Sequence, residues 1–186
     1  MDKEMSEAKE KAIGYLNHFF GDGITNQSQS ELIKSITVRG LEKREKLVLD
    51  KATDSYEKTK EKMAEMREQD ADDMTAVIDM LLKRKLGGIL KLEKESLEAV
   101  IRYSKHPDNL NQMHTLNEWA KSYLPKVEEK IKDIQEQYVE LEGIVKRQKK
   151  ELEQKIKESR LDKAENTKAE DAKKKSPKKK HTGYEY

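Results

Sequence analysis

Apolar residues in this chain recur at spacings of three and four almost throughout, and nowhere do they alternate as a strand would require. From Ser6 to Phe20, Ala8, Ala12, Ile13, Tyr15, Leu16, Phe19 and Phe20 predict an amphipathic helix that ends at Gly21-Asp22-Gly23. Ser28 or Ser30, with Glu31 in the following turn, predicts a new helix start. Beyond Gly40 the positions Val48, Ala52, Tyr56, Thr59, Met63 and Met66 alternate four and three apart, a weak coiled-coil seam broken by the acidic stretch 68–73. The richest apolar run follows: Met74, Val77, Ile78, Leu81, Leu82, Leu86, Ile89, Leu90, Leu97, Val100 and Ile101, crowded by Lys83, Arg84, Lys85, Lys91 and Lys94. Gly87-Gly88 inside it predicts a bend, hinge or junction, because each glycine costs about 1 kcal/mol in a helix interior.

His106-Pro107-Asp108-Asn109 predicts a turn between antiparallel helices. Leu110, Met113, Leu116, Trp119, Ala120 and Tyr123 then form one stripe of a short helix ending near Pro125, with Trp119 placed against the Leu81 to Ile101 face. The last helix is the most regular. Ile131, Tyr138, Val145 and Leu152 occupy one heptad position, and Val127, Ile134, Leu141 and Gln148 the other, supported by Glu128–Lys132, Glu142–Lys146, Glu151–Lys155 and Glu153–Lys157 pairs. Val139 and Ile144 widen that stripe beyond what a two-stranded coil covers and favour a bundle.

The fold class expected is therefore all-α, an extended helical hairpin or bundle with a C-terminal coiled-coil segment and a disordered basic tail. Four parts are expected: an N-terminal amphipathic helix over 1–24, a long helical arm over 28–104 with a hinge at 87–88, returning helices over 108–160, and a tail over 161–186. The expected helix–helix interface comprises Leu81, Leu86, Leu90, Leu97, Trp119, Val127, Ile131, Ile134, Tyr138, Leu141, Val145 and Leu152.

Composition strengthens this picture by exclusion. Of 186 residues, 41% are charged and 34% hydrophobic, against roughly 25% and 45–50% in ordinary domains, so a Rossmann domain or barrel core is not expected. Cysteine is absent, which removes disulfides and thiolate chemistry. His18, His106, His114 and His181 are scattered, and no phosphate loop or nucleophile motif occurs, so neither enzyme activity, metal nor cofactor is expected. No apolar run reaches a membrane span, and Met1-Asp2-Lys3-Glu4 is unlike a secretory leader, which sets the expectation of an intracellular protein, cytoplasmic or nuclear.

The formal net charge of +2 averages two unlike parts. Residues 173–186 carry six lysines and one glutamate, leaving 33 basic and 36 acidic side chains in 1–172. Lys173, Lys174, Lys175, Lys178, Lys179 and Lys180 form a phosphate- or acid-binding candidate, and Ser176 within Ser176-Pro177-Lys178-Lys179 is a candidate phosphosite. That unit resembles linker-histone tail repeats, which implies DNA contact, and is similar to nuclear-import clusters. The end, Glu185-Tyr186, resembles acidic-aromatic termini captured by cytoskeletal adaptor domains. These features set out three readings: a non-enzymatic scaffold or adaptor that self-associates or joins a larger assembly through its coiled-coil faces; a nucleic-acid-associated protein with a dimerising body and a lysine tail; and a peripheral membrane protein lying on Leu81 to Leu92.

Overall fold

The computed structural model describes residues 3–21, 28–68 and 74–174, and all of its regular structure is α-helical. Five helices occur among these residues: α1 (Lys3–Phe20), α2 (Gln29–Ser35), α3 (Val38–Glu68), α4 (Thr75–Ser104) and α5 (Leu110–Lys174). The chain divides into two compact units, Met1–Glu142 and Gly143–Tyr186.

In the first unit α3 and α5 both run antiparallel to α4. On one side Arg44, Ser55 and Lys62 of α3 meet Glu93, Lys83 and Asp79 in turn. On the other, Asn117, Tyr123 and Glu128 of α5 meet Ser104, Glu93 and Lys94. Consequently α3 and α5 are parallel, joined by Lys126 to Glu45 at 2.6 Å and by Gln137, whose Nε2 donates to the Tyr56 carbonyl. Helix α1 packs on the C-terminal half of α4, and α2 is tied to its end through Gln29, which donates to the Tyr103 hydroxyl. Leu16, Leu41, Leu90, Leu97, Tyr123, Val127 and Ile134 fill the core.

Local chemistry sets the helix ends. Gly21 N–H bonds the Asn17 carbonyl, and a Cβ at Gly21 would lie 2.4 Å from that oxygen, so only glycine fits. Ser28 caps α2 in a capping box with Glu31. The segment after it does not run on as one helix. It stops at Ser35 and restarts at Val38, where the Thr37 hydroxyl accepts the Gly40 N–H at 3.0 Å. Nor is 28–104 a single arm: α3 and α4 lie antiparallel against each other, and the acidic residues 69–73 between them lie outside the described residues. At the next turn Asn109 caps the helix behind it, its Nδ2 donating to the Tyr103 carbonyl.

Three further expectations are corrected. Helix α4 runs unbroken through Gly87-Gly88, so no junction between helices falls there. Pro125 does not separate two returning helices but lies inside α5; the one departure from helical geometry is Met113 (φ −112°, ψ 15°) in the first turn. The helix also continues past Leu161 to Lys174, because that stretch is rich in Ala, Glu and Lys and holds no Gly or Pro to stop it. Lys173 and Lys174 are therefore helical, while Lys175, Ser176, Lys178, Lys179 and Lys180 lie outside the described residues.

A Cβ at Gly88 would meet open space. Gly88→Ala should therefore stabilise the chain by about 0.5–1 kcal/mol through helix propensity, read as a raised urea midpoint with an unchanged slope.

Candidate protein interface

Helix α4 carries two adjacent heptad lines, and everything that distinguishes this bundle sits on one or the other. The inner line is Asp79, Lys83, Leu86, Leu90, Glu93, Leu97, Val100 and Ser104, spaced four and three apart. It faces the core, and all of it is buried except half-buried Leu86. Three of its members are charged, which is unusual for a buried seam.

Glu93 is 4% exposed and collects donors from three other helices. Its carboxylate accepts the Tyr15 hydroxyl of α1 at 2.5 Å and the Tyr123 hydroxyl of α5 at 3.1 Å. From α3, Arg44 donates through Nε at 3.2 Å and Nη2 at 2.6 Å. Burial, reinforced by the neighbouring Glu93 charge, raises both tyrosine hydroxyls far above the ordinary phenol range and keeps them protonated as donors. Burial alone would lower the Arg44 pKa, but its bonds and attraction to Glu93 raise it above its usual value. Arg44 also lies 3.5 Å from the Phe19 ring centroid, and Phe20 meets Trp119 edge-on at 6.1 Å. Trp119 is thus half-buried, packed on the core and meeting Phe20 of α1.

Ten residues earlier on the same line, Lys83 is 1% exposed, and its Nζ donates to the carbonyl and hydroxyl oxygens of Ser55. Burial pushes the Lys83 ammonium down to about 8 against the opposing pull of Asp79. Asp79 accepts from Lys62 at 3.3 Å, while its second oxygen, also buried, has no partner among the described residues.

The outer line, one residue behind the inner, is Ile78, Leu82, Lys85, Ile89, Leu92, Ser96, Ala99 and Tyr103. Its two ends differ sharply. Ala99 and Tyr103 are 7% and 3% exposed, where Ala8, Lys11 and Tyr15 of α1 meet α4 between Glu93 and Arg102. Ile78, Leu82, Ile89 and Leu92 are 53%, 54%, 45% and 65% exposed, with Leu81 and Met74 exposed beside them. Leu82 also borders a groove of about 330 Å³ between α3 and α4, lined by Lys51, Asp54, Lys58 and Lys62.

The other expected interface residues divide cleanly. Leu90, Leu97, Val127, Ile131, Ile134 and Leu141 are buried inside the first unit, with Leu86 and Tyr138 half-buried. Leu81 faces solvent; in the second unit Val145 is half-buried and Leu152 is exposed, as are Ile156 and Leu161. The regular heptads of α5 thus serve the chain's own core as far as Leu141. Composition does not single out the charged residues of the inner line, because charged side chains are ordinarily solvated; their place on the same 4-3 spacing as Leu86, Leu90 and Leu97 is the signal that marks them as buried.

Among the described residues no helix is long and apolar enough to cross a membrane, and no group of His, Asp or Glu is placed to hold a metal ion. No family model, curated protein or solved structure matches the chain. Fold and surface together define an all-α helical hairpin bundle.

Two outcomes test the inner line. Glu93→Ala should cost about 3–5 kcal/mol by leaving Arg44 buried without its partner, whereas Arg44→Met with Glu93→Leu should cost well under the sum of the single changes in a double-mutant cycle. For Lys83 the folded pKa of about 8 lies below the unfolded 10.5, so the unfolded chain binds more protons above pH 8. Stability should rise with pH between about 8 and 10, and Lys83→Met should abolish that rise, as followed by urea denaturation across the range.

Proposed function

We propose that the chain is a non-enzymatic helical scaffold or adaptor that receives a partner's helix along the bare half of the outer α4 line. One observation carries this reading. A single heptad line is covered by helix α1 from Ala99 onward and left open from Ile78 to Leu92, so the open part has the shape and spacing of a helix-binding surface already in use one segment further along.

The open stretch extends about 27 Å from Met74 to Leu92, enough for roughly two and a half heptads. Covering the exposed halves of Ile78, Leu81, Leu82, Ile89 and Leu92 gains roughly 4–8 kcal/mol. Association costs about 4–15 kcal/mol, so apolar burial alone supports weak pairing at best, and flanking charges decide which partners stay. A stripe of this kind rimmed by polar residues is the usual mark of an interaction site.

The reading is tested with the full chain and a fluorescent amphipathic helical peptide of about three heptads, with leucine at its a and d positions and mixed charge elsewhere. Binding followed by anisotropy should weaken about tenfold or more in Leu82→Glu/Ile89→Glu, both being solvent-facing positions whose exchange leaves helix content by circular dichroism unchanged. Equal binding by wild type and variant, or none by either, removes the proposal.

A further inference from the structure

We infer that the helix this surface accepts is an acidic amphipathic one supplied by a different protein, with carboxylates one heptad apart on both sides of its apolar stripe. The inference rests on the docking reading above and specifies the chemistry of the occupant.

Both rims of the open stretch are basic, and in the same register. On the α3 side Lys51 and Lys58 stand seven residues apart and line the groove that Leu82 borders, with Lys62 one turn further on. On the far side Arg84 and Lys91, also seven apart, are both exposed. Lys85 lies on the line itself between Leu82 and Ile89. Seven residues correspond to about 10 Å along a helix, so each rim offers paired cations at the repeat of a heptad. Against these, the groove holds Asp54 and Asp79, and Asp79 is already bonded to Lys62. Lys91 also borders a mixed groove with Lys94, Glu95, Glu98 and Glu128, and the basic rim ends there. In coiled-coil pairing, charges that flank the seam select the partner, and opposite charges at those positions are what this surface can satisfy.

Pairing of the chain with a second copy through its two longest exposed apolar stretches does not supply them. The open segment 74–92 exposes Arg84, Lys85 and Lys91 and no acid, Lys83 and Asp79 both being buried, so pairing it with itself brings like charges together. The other exposed amphipathic stretch, carrying Leu152 and Ile156 within 143–166, has eight basic residues and five acidic ones. Both are net cationic. Neither of these two stretches carries the opposite sign, which favours an occupant from outside the chain. An anionic lipid surface shares that sign, but the groove beside Leu82 and the continuity with the α1 contact suit a rod lying in a channel better than a flat sheet.

The test compares two peptides with identical leucine a and d positions, one with glutamate and one with lysine at e and g, titrated into the full chain. The glutamate peptide should bind at least about tenfold more tightly, weaken as salt rises, and lose that advantage in Lys51→Glu/Lys58→Glu, while Leu82→Glu/Ile89→Glu reduces binding of either. If both peptides bind equally and both are lost in the Leu82 and Ile89 variant, the docking reading stands and the acidic partner is overturned. If neither binds, both fall. Sedimentation of the chain alone that shows a dimer abolished by Leu82→Glu would overturn the inference in favour of a second copy. Vesicles of anionic phospholipid that recover the chain through the same residue, while the glutamate peptide does not bind, would overturn it in favour of a membrane.

Discussion

The carboxylate of Glu93 is the point at which four helices are fastened together. A lone buried carboxylate is strongly disfavoured, and this one is tolerated because Arg44 brings a compensating charge and the Tyr15 and Tyr123 hydroxyls satisfy its remaining acceptor capacity. Each donor comes from a different helix, so the carboxylate is satisfied in full only when α1, α3 and α5 all take their places around α4. Aliphatic packing in a bundle tolerates sliding between heptads, since one leucine replaces another. A four-residue polar node favours a single register, and the cost of leaving any donor unmatched penalises the alternatives.

That node also fixes where α1 sits, and its position divides the bundle. Tyr15 is tied to Glu93, and the Phe19 and Phe20 rings are held by Arg44 and Trp119, so α1 shields Ala99 and Tyr103 but leaves the outer line bare before Glu93. Around Lys83 and Asp79 the named contacts of α4 are with α3, and the outer line is exposed. The buried charges there are less completely matched than those at Glu93, for one Asp79 carboxylate oxygen has no partner among the described residues and burial lowers the Lys83 pKa. The first unit thus has a tightly fastened half and a more open one, and the open half is where the apolar line reaches solvent.

Periodicity made the helices legible because an amphipathic stripe is a local pattern, and the all-α class follows from it directly. The Ser28 cap, the Pro107 turn and the buried seam from Val127 to Leu141 were readable for the same reason. What stayed hidden depends on contacts distant in sequence. The break at Ile36-Thr37 rests on one hydroxyl and passes unnoticed inside a long helical pattern. The Glu93 node joins residues 30 to 78 positions apart, and no local rule separates it from the many carboxylates that face water. For the candidate interface, sequence identified the Leu81 to Leu92 leucines but not which of them the chain covers itself. Leu90 and Leu92 differ by two residues and by the whole distance from core to solvent.

The division of labour between the two α4 lines links composition to function. A chain with so little apolar surface would be expected to commit all of it to its own core, yet five large aliphatic side chains are left along one edge of α4. Most of the charged residues lie on exposed faces, where they keep such an edge soluble, and around it they are predominantly of one sign. Weak apolar attraction combined with a one-signed rim discriminates among partners better than a larger apolar face would, because the apolar part accepts any stripe and the rim rejects those of like charge. The near-neutral total conceals this. The sum of charge says little about its placement, which around the open line of α4 is predominantly basic on both α4 and α3.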